Sequence, residues 1–212
     1  MKTAKLKIIY SEEFDIQRVK KTLSKIDWFI ENKYNYKKFP LPKALDKEKL
    51  QSYSESDIKE AVRAEYTDVL YKECEKTLID NWAKVFGELE QAFVKSGLSC
   101  RDKYIIYLTK YGTGGSYNLP NTVVINIVSS ARERVLSVII HEIVHLAIEK
   151  QIVKYKITQW QKEVIVDSFL NKVYPGMLKQ QNYPFDMSET QKIFEKYYPD
   201  AELIMSNISK LE

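Results

Sequence analysis

The sequence predicts an α+β fold, mostly helical with a small sheet. Apolar residues recur at helical spacing through long segments. Three short segments alternate apolar with polar residues or are rich in β-branched and aromatic ones. The chain has 212 residues and 44% hydrophobic content, enough for the core of one domain and too much for a disordered chain.

Residues 4–10, "AKLKIIY", alternate and read as a strand. From Asp15 to about Tyr34 the apolar positions Ile16, Val19, Leu23, Ile26, Phe29 and Ile30 predict one helix. A proline-bearing connector, "KKFPLPKALD", follows. Residues 54–95 are helical in pattern but long for one helix, so a break or two packed helices is expected. Gly97 punctuates its end. "KYIIYLTKY" and "NTVVINI" read as strands joined by "GTGGSYNLPN", whose "GTGGS" reads as a flexible rim of the cleft. A helix is expected over about 131–151. Thr158 can cap another that reaches about Tyr174. Short helices close the chain near 188–197 and 201–211. We read 1–212 as a single domain. About 1–74 is a mostly helical part without a motif, and about 75–212 holds the motifs below.

Composition narrows the function classes. The net charge of +4 comes from interspersed residues of both signs and does not call for nucleic acid. Charges interrupt every apolar run before membrane-spanning length, and no secretory signal is seen, so a cytoplasmic protein is expected. Cys74 and Cys100, the two cysteines, are then expected as free thiols. "GTGGS" is not a phosphate loop, because no Lys-Ser/Thr follows and a strand comes next. Trp28, Trp82 and Trp160 fall on apolar helical faces and are expected in the core.

"SVIIHEIVHLAIEK", residues 137–150, carries the chain's two histidines, His141 and His145, with Glu142 between them. At about 100° per residue the histidines lie only about 40° apart, one turn from each other, so their imidazoles can converge. Glu142 is within reach of a water held at that point. Apolar residues surround the triplet on nearly every side, which marks a buried helix. An unpartnered carboxylate there costs several kcal/mol or is neutralised, whereas a metal removes the problem. Imidazoles suit zinc, and a catalytic zinc keeps three protein ligands and a water. With no histidine left, the third ligand should be a carboxylate. "QWQKEVIVDSFL" offers Glu163 and Asp167, one turn apart and nearly opposite the polar face of their helix. Glu149, eight residues past His141, and Glu133, as far in the other direction, lie too far along the histidine helix to close a ring around one metal.

HExxH followed by ExxxD, with Glu163 18 residues after His145, resembles the gluzincin group of zinc metallopeptidases. The order of helix, strands and motif helix over about residues 75–174 is similar to the compact minigluzincins. The resemblance implies a zincin-like catalytic core with a small mixed sheet, an edge strand and an active-site helix. It implies one Zn2+ held by His141, His145 and Glu163. Glu142 would be the general base, and Asp167 would orient a ligand histidine. The metzincin pattern needs a histidine at position 151, which is Gln151. No acid stands in "YGTGGSYN" to hold a free amino terminus, which points away from an aminopeptidase.

The expected activity is hydrolysis of peptide bonds, as an endopeptidase acting on a peptide or protein. Tyr155 and Tyr183 are candidates for stabilising the oxyanion, among 15 tyrosines. Thr122, Val123, Val124, Ile125 and Asn126 form either an edge strand that pairs with an extended substrate or an ordinary internal strand. The competing readings are a helical interaction protein with a structural zinc, and a latent peptidase whose terminal helices block the cleft. Oligomeric state is left open by the sequence.

Overall fold

The structure is a computed structural model describing residues 4–46, 49, 52–128, 132–177 and 181–211, with the Arg132 and Glu133 side chains outside that description. The fold is α+β: a four-stranded mixed sheet among helices. Strand β1 (Lys5–Ile9) pairs parallel with β2 (Lys103–Thr109), and β2 pairs parallel with β4 (Thr122–Asn126). Strand β3 (Gly115–Asn118) runs antiparallel to β4, giving the order β1-β2-β4-β3. A parallel β1–β2 pair needs a long crossover. It contains α1 (Glu12–Leu23), α2 (Ile26–Glu31), α3 (Glu55–Glu65) and α4 (Val69–Lys95).

The helix expected from Asp15 to Tyr34 is two. It starts earlier, at the Ser11 cap, whose side chain accepts from Phe14 N, and it ends at Leu23. Ser24 there turns its hydroxyl onto the Lys21 carbonyl, an alternative to helical bonding that favours termination. The break expected within residues 54–95 falls where Tyr66 takes an extended conformation. Ser54 and Asp57 start α3 with a capping box.

Helix α5 (Arg132–Tyr155) carries the histidines and runs four residues beyond the expected end at Gln151. It packs against β3, β4, α4, α6 (Gln159–Val173) and α8 (Ala201–Ile208). This explains why a helix inside a protein can be apolar all round. Ile139, Ile140, Ile143 and Val144 are fully buried in the main core with Ile106, Ile125 and Val166. A second, smaller core joins Ile16 and Val19 of α1 to Ile58 and Val62 of α3. Asp15, itself fully buried, accepts hydrogen bonds from the Tyr71 hydroxyl of α4 and from Thr109 Oγ1 of β2 (2.6 Å). It thereby ties α1 to the main core. Helix α7 (Ser188–Tyr197) packs on α6 and α8. Among the described residues, no helix is long and apolar enough to cross a membrane.

Candidate metal centre

Two adjacent helices build the centre. Helix α5 presents His141 and His145 one turn apart. Lys156, with φ 52°, turns the chain between the two helices. Thr158 starts α6 with a capping box to Gln161, and Glu163 and Asp167 follow one turn apart. His141 Nε2 lies 3.0 Å from His145 Nε2 and 3.3 Å from Glu163 Oε2, and His145 Nε2 lies 3.5 Å from that same oxygen. Tetrahedral ligands at about 2.0–2.1 Å from a zinc ion stand about 3.3 Å from one another. The triangle of donor atoms, with sides of 3.0–3.5 Å, is thus compatible in size with a bound metal ion such as zinc. All three residues are buried. Among the described residues no fourth histidine, cysteine or acid joins the group.

The remaining ring nitrogen of His141, Nδ1, lies 3.4 Å from Asp167 Oδ1. Asp167 is held in turn by the Tyr183 hydroxyl (2.7 Å) and the Gln181 backbone N–H (3.3 Å). Gln181 Nε2 also donates to Glu163 Oε2 (3.1 Å), and Gln159 Nε2 donates to Glu163 Oε1 (2.8 Å). Such outer contacts fix a ligand's orientation and basicity.

Charge in the cluster is strongly coupled. Burial alone would depress the His141 pKa, but hydrogen bonds to Asp167 and Glu163 outweigh it and raise the value. Burial dominates at His145 and lowers it. Glu163 is held well below the ordinary carboxylate range: burial opposes this, and the hydrogen bonds from both histidines win. Glu163 thus keeps its negative charge beside the two imidazoles. Glu142 is different. It makes no bond to the histidines, and burial pushes its pKa up to about 7 while His141 pulls the other way. Its carboxylate lies against Gly115 of β3, where a Cβ would collide with it and with Val138.

The centre opens onto a cavity of about 550 Å³. Its walls come from α5, α6, β3 and, unexpectedly, the segment from Arg18 to Phe39. Several expectations need correction. Thr122–Asn126 is not an edge: β4 lies between β2 and β3, and Val123, Val124, Ile125 and Asn126 are buried. The sheet's edges are β1 and β3, and it is β3, in the segment joining the two expected strands, whose residues Gly115–Asn118 line the cavity. Tyr155 is not a site residue. It lies ten residues beyond His145, about 15 Å along the axis, and its hydroxyl donates to Glu202 of α8 (2.6 Å). Tyr183 belongs to the site as the brace on Asp167, not as a donor into the cavity. Trp28 is 42% exposed and lines the cavity rather than the core, whereas Trp82 is buried. Trp160 is partly buried and stacks on Tyr34. Glu149 accepts from Tyr117 instead of facing the histidines, and the Glu133 side chain lies outside the described residues. Cys74 and Cys100 are free thiols.

Two tyrosines that the sequence does not mark as site residues do reach the site. Tyr117 of β3 stacks on His145 with ring centroids 5.0 Å apart and receives a bond from Lys162 (3.1 Å). Tyr34 lines the cavity and accepts from Gln159 (3.0 Å), the residue that also holds Glu163. No sequence spacing marks Tyr34, because it arrives from a segment more than a hundred residues before the motif. No family model, curated protein or solved structure matches the chain.

Proposed function

We propose that the protein is a zinc-dependent metallopeptidase with a zincin-like, gluzincin-type site, hydrolysing peptide bonds as an endopeptidase. The observation that carries this reading is the donor triangle of His141, His145 and Glu163, sized for zinc and with its open side on a cavity. A structural zinc calls for a fourth protein ligand, whereas a catalytic one leaves that position to water or substrate. The open side therefore favours the enzyme over the interaction protein. The latent reading through terminal helices has no support, since no residue of α7 or α8 lines the cavity.

Zinc held there would supply Lewis acidity to the carbonyl and lower the pKa of bound water. Glu142, buried beside the ligands, would take a proton from the attacking water and return it to the leaving nitrogen. Asp167 would hold His141 in the tautomer whose Nε2 faces the centre. The hydroxyl of Tyr34 would donate to the developing oxyanion, the role that neither Tyr155 nor Tyr183 is placed to fill. Strand β3, the free edge along the cavity, would pair with an extended peptide.

The test is metal content and peptide hydrolysis measured together on the wild type and Glu142→Gln. The expected result is one zinc per chain in both, with hydrolysis lost in the variant. Stoichiometric zinc with equal cleavage by both proteins would remove Glu142 as the base. Absence of zinc binding would remove the metallopeptidase.

A further inference from the structure

The cavity wall contributed by α1 and the start of α2 carries positive charge that, among the described residues, no anion in contact balances. Arg18 is 8% exposed and lines the cavity. Its two terminal nitrogens donate to Ser116 Oγ (3.2 Å) and Thr113 Oγ1 (2.7 Å), both neutral hydroxyls at β3 and the loop before it. Among the described residues its Nε has no hydrogen-bond partner. A guanidinium has five N–H donors shaped for a carboxylate, and burying one without an anion in contact is costly. The opposing charge it feels is Glu142, across the cavity. Lys21, one turn further along α1, and Lys25, immediately before α2, line the same cavity and are exposed. The charges that act on Lys21 are Lys25 and Arg18, both repulsive. Lys25 rests over the Trp28 ring at 5.8 Å. The acids of the lining, Glu142, Glu163 and Asp167, all stand on α5 and α6, at the metal centre.

We propose that Arg18, Lys21 and Lys25 form a subsite for a carboxylate of the substrate, so that the cleft selects peptides with an acidic group beside the bond to be cut. The inference rests on the peptidase reading for the bond, but the recognition itself needs no metal. Arg18 is bonded to Ser116 of the free edge strand, so a peptide extended along β3 passes this wall. The carboxylate can be an Asp or Glu side chain or a free C-terminus, which share one chemistry.

Fluorescence anisotropy on the metal-free protein at low ionic strength tests the subsite with three labelled peptides of otherwise identical sequence. One has a central Glu and an amidated end, the second Gln and an amidated end, the third Gln and a free carboxylate. The acidic group should tighten binding by at least about tenfold over the Gln amide, as expected of a charge-assisted pair. Whichever of the two acidic peptides shows the gain identifies the source. Arg18→Gln should abolish the preference. Lys21→Gln with Lys25→Gln, both exposed and safe for folding, should reduce it at least about threefold. Equal affinity for all three peptides, no binding of any, or a preference that survives the lysine double variant would overturn the subsite. Hydrolysis without an acidic preference would overturn it and leave the peptidase standing. An acidic preference in a protein that binds no zinc would do the reverse.

Discussion

Glu163 and Asp167 stand one turn apart on the same helix and are nearly equally sheltered, with side chains 10% and 9% exposed, yet they face different atoms. Glu163 Oε2 is within 3.5 Å of both imidazole Nε2 atoms, while Asp167 reaches the far nitrogen of His141. Glu163→Ala should therefore abolish zinc binding, whereas Asp167→Ala should weaken affinity or activity by about 10–100-fold. Calorimetric titration with zinc separates the two, and equal losses would contradict the assigned roles. Gly115 gives a third residue-level expectation. A methyl there would meet the Glu142 carboxylate and Val138. Gly115→Ala should displace Glu142 and cut hydrolysis by at least about tenfold while leaving zinc stoichiometry unchanged. Unaltered kcat/KM would mean that the carboxylate need not sit where it does. His141, Glu142, His145, Glu163 and Asp167 were all legible as a constellation, because helical spacing converts sequence distance into direction. Arg18, Tyr34 and Tyr117 were not, since only the tertiary fold brings them to the cavity.

At the scale of elements, the readable features are those set by local chemistry. The Thr158 start of α6 was one, and the structure shows its side chain accepting from Gln161 N while the Thr158 N–H donates to Gln161 Oε1. Thr158→Ala should cost about 1 kcal/mol. That corresponds to a fall of about 2–4 °C in melting temperature for a chain of this size, and calorimetric melting measures it. No change would mean that water caps the helix equally well. Strand order was not legible in the same way. Strand β4 is apolar enough for either an edge or an interior position, and only the pairing with β2 on one side and β3 on the other decides it. Strand β3 is four residues, "GSYN", with no alternating pattern to announce it. Its strand character comes from pairing with β4 and its glycine from the close approach of Glu142. The single helix expected over α1 and α2 failed for a comparable reason. The apolar spacing continues through Ser24, while a side-chain bond to the backbone stops the helix there.

For the whole molecule, the N-terminal part and the part that holds the motifs are joined by polar as well as apolar contacts. Asp15 sits at that junction, and burial raises its pKa above the unfolded value of about 3.9 against the pull of Thr109 and Tyr71. A raised carboxyl favours the protonated form in the fold, so its contribution to stability is full below the unfolded pKa and is lost as pH rises through the folded one. Asp15→Asn lacks that titration. Its destabilisation, read from urea midpoints, should be larger near pH 4 than near pH 7, and a pH-independent difference would sink the argument. A metal held by the proposed centre would act on the same global equilibrium. Its donors come from two helices, α5 and α6, that approach only in the folded chain, so on the proposed reading zinc would bind the native state and not the unfolded one. At free zinc of about 100 times Kd the gain is about 2.7 kcal/mol. At about 2–4 °C per kcal/mol, the zinc-loaded protein should melt about 5–10 °C above the chelated one. His145→Ala should lose that increment, since the donor triangle cannot form without it. A melting temperature indifferent to zinc in the wild type, or an equal zinc-induced shift in His145→Ala, would mean that the metal does not bind where the three donors converge.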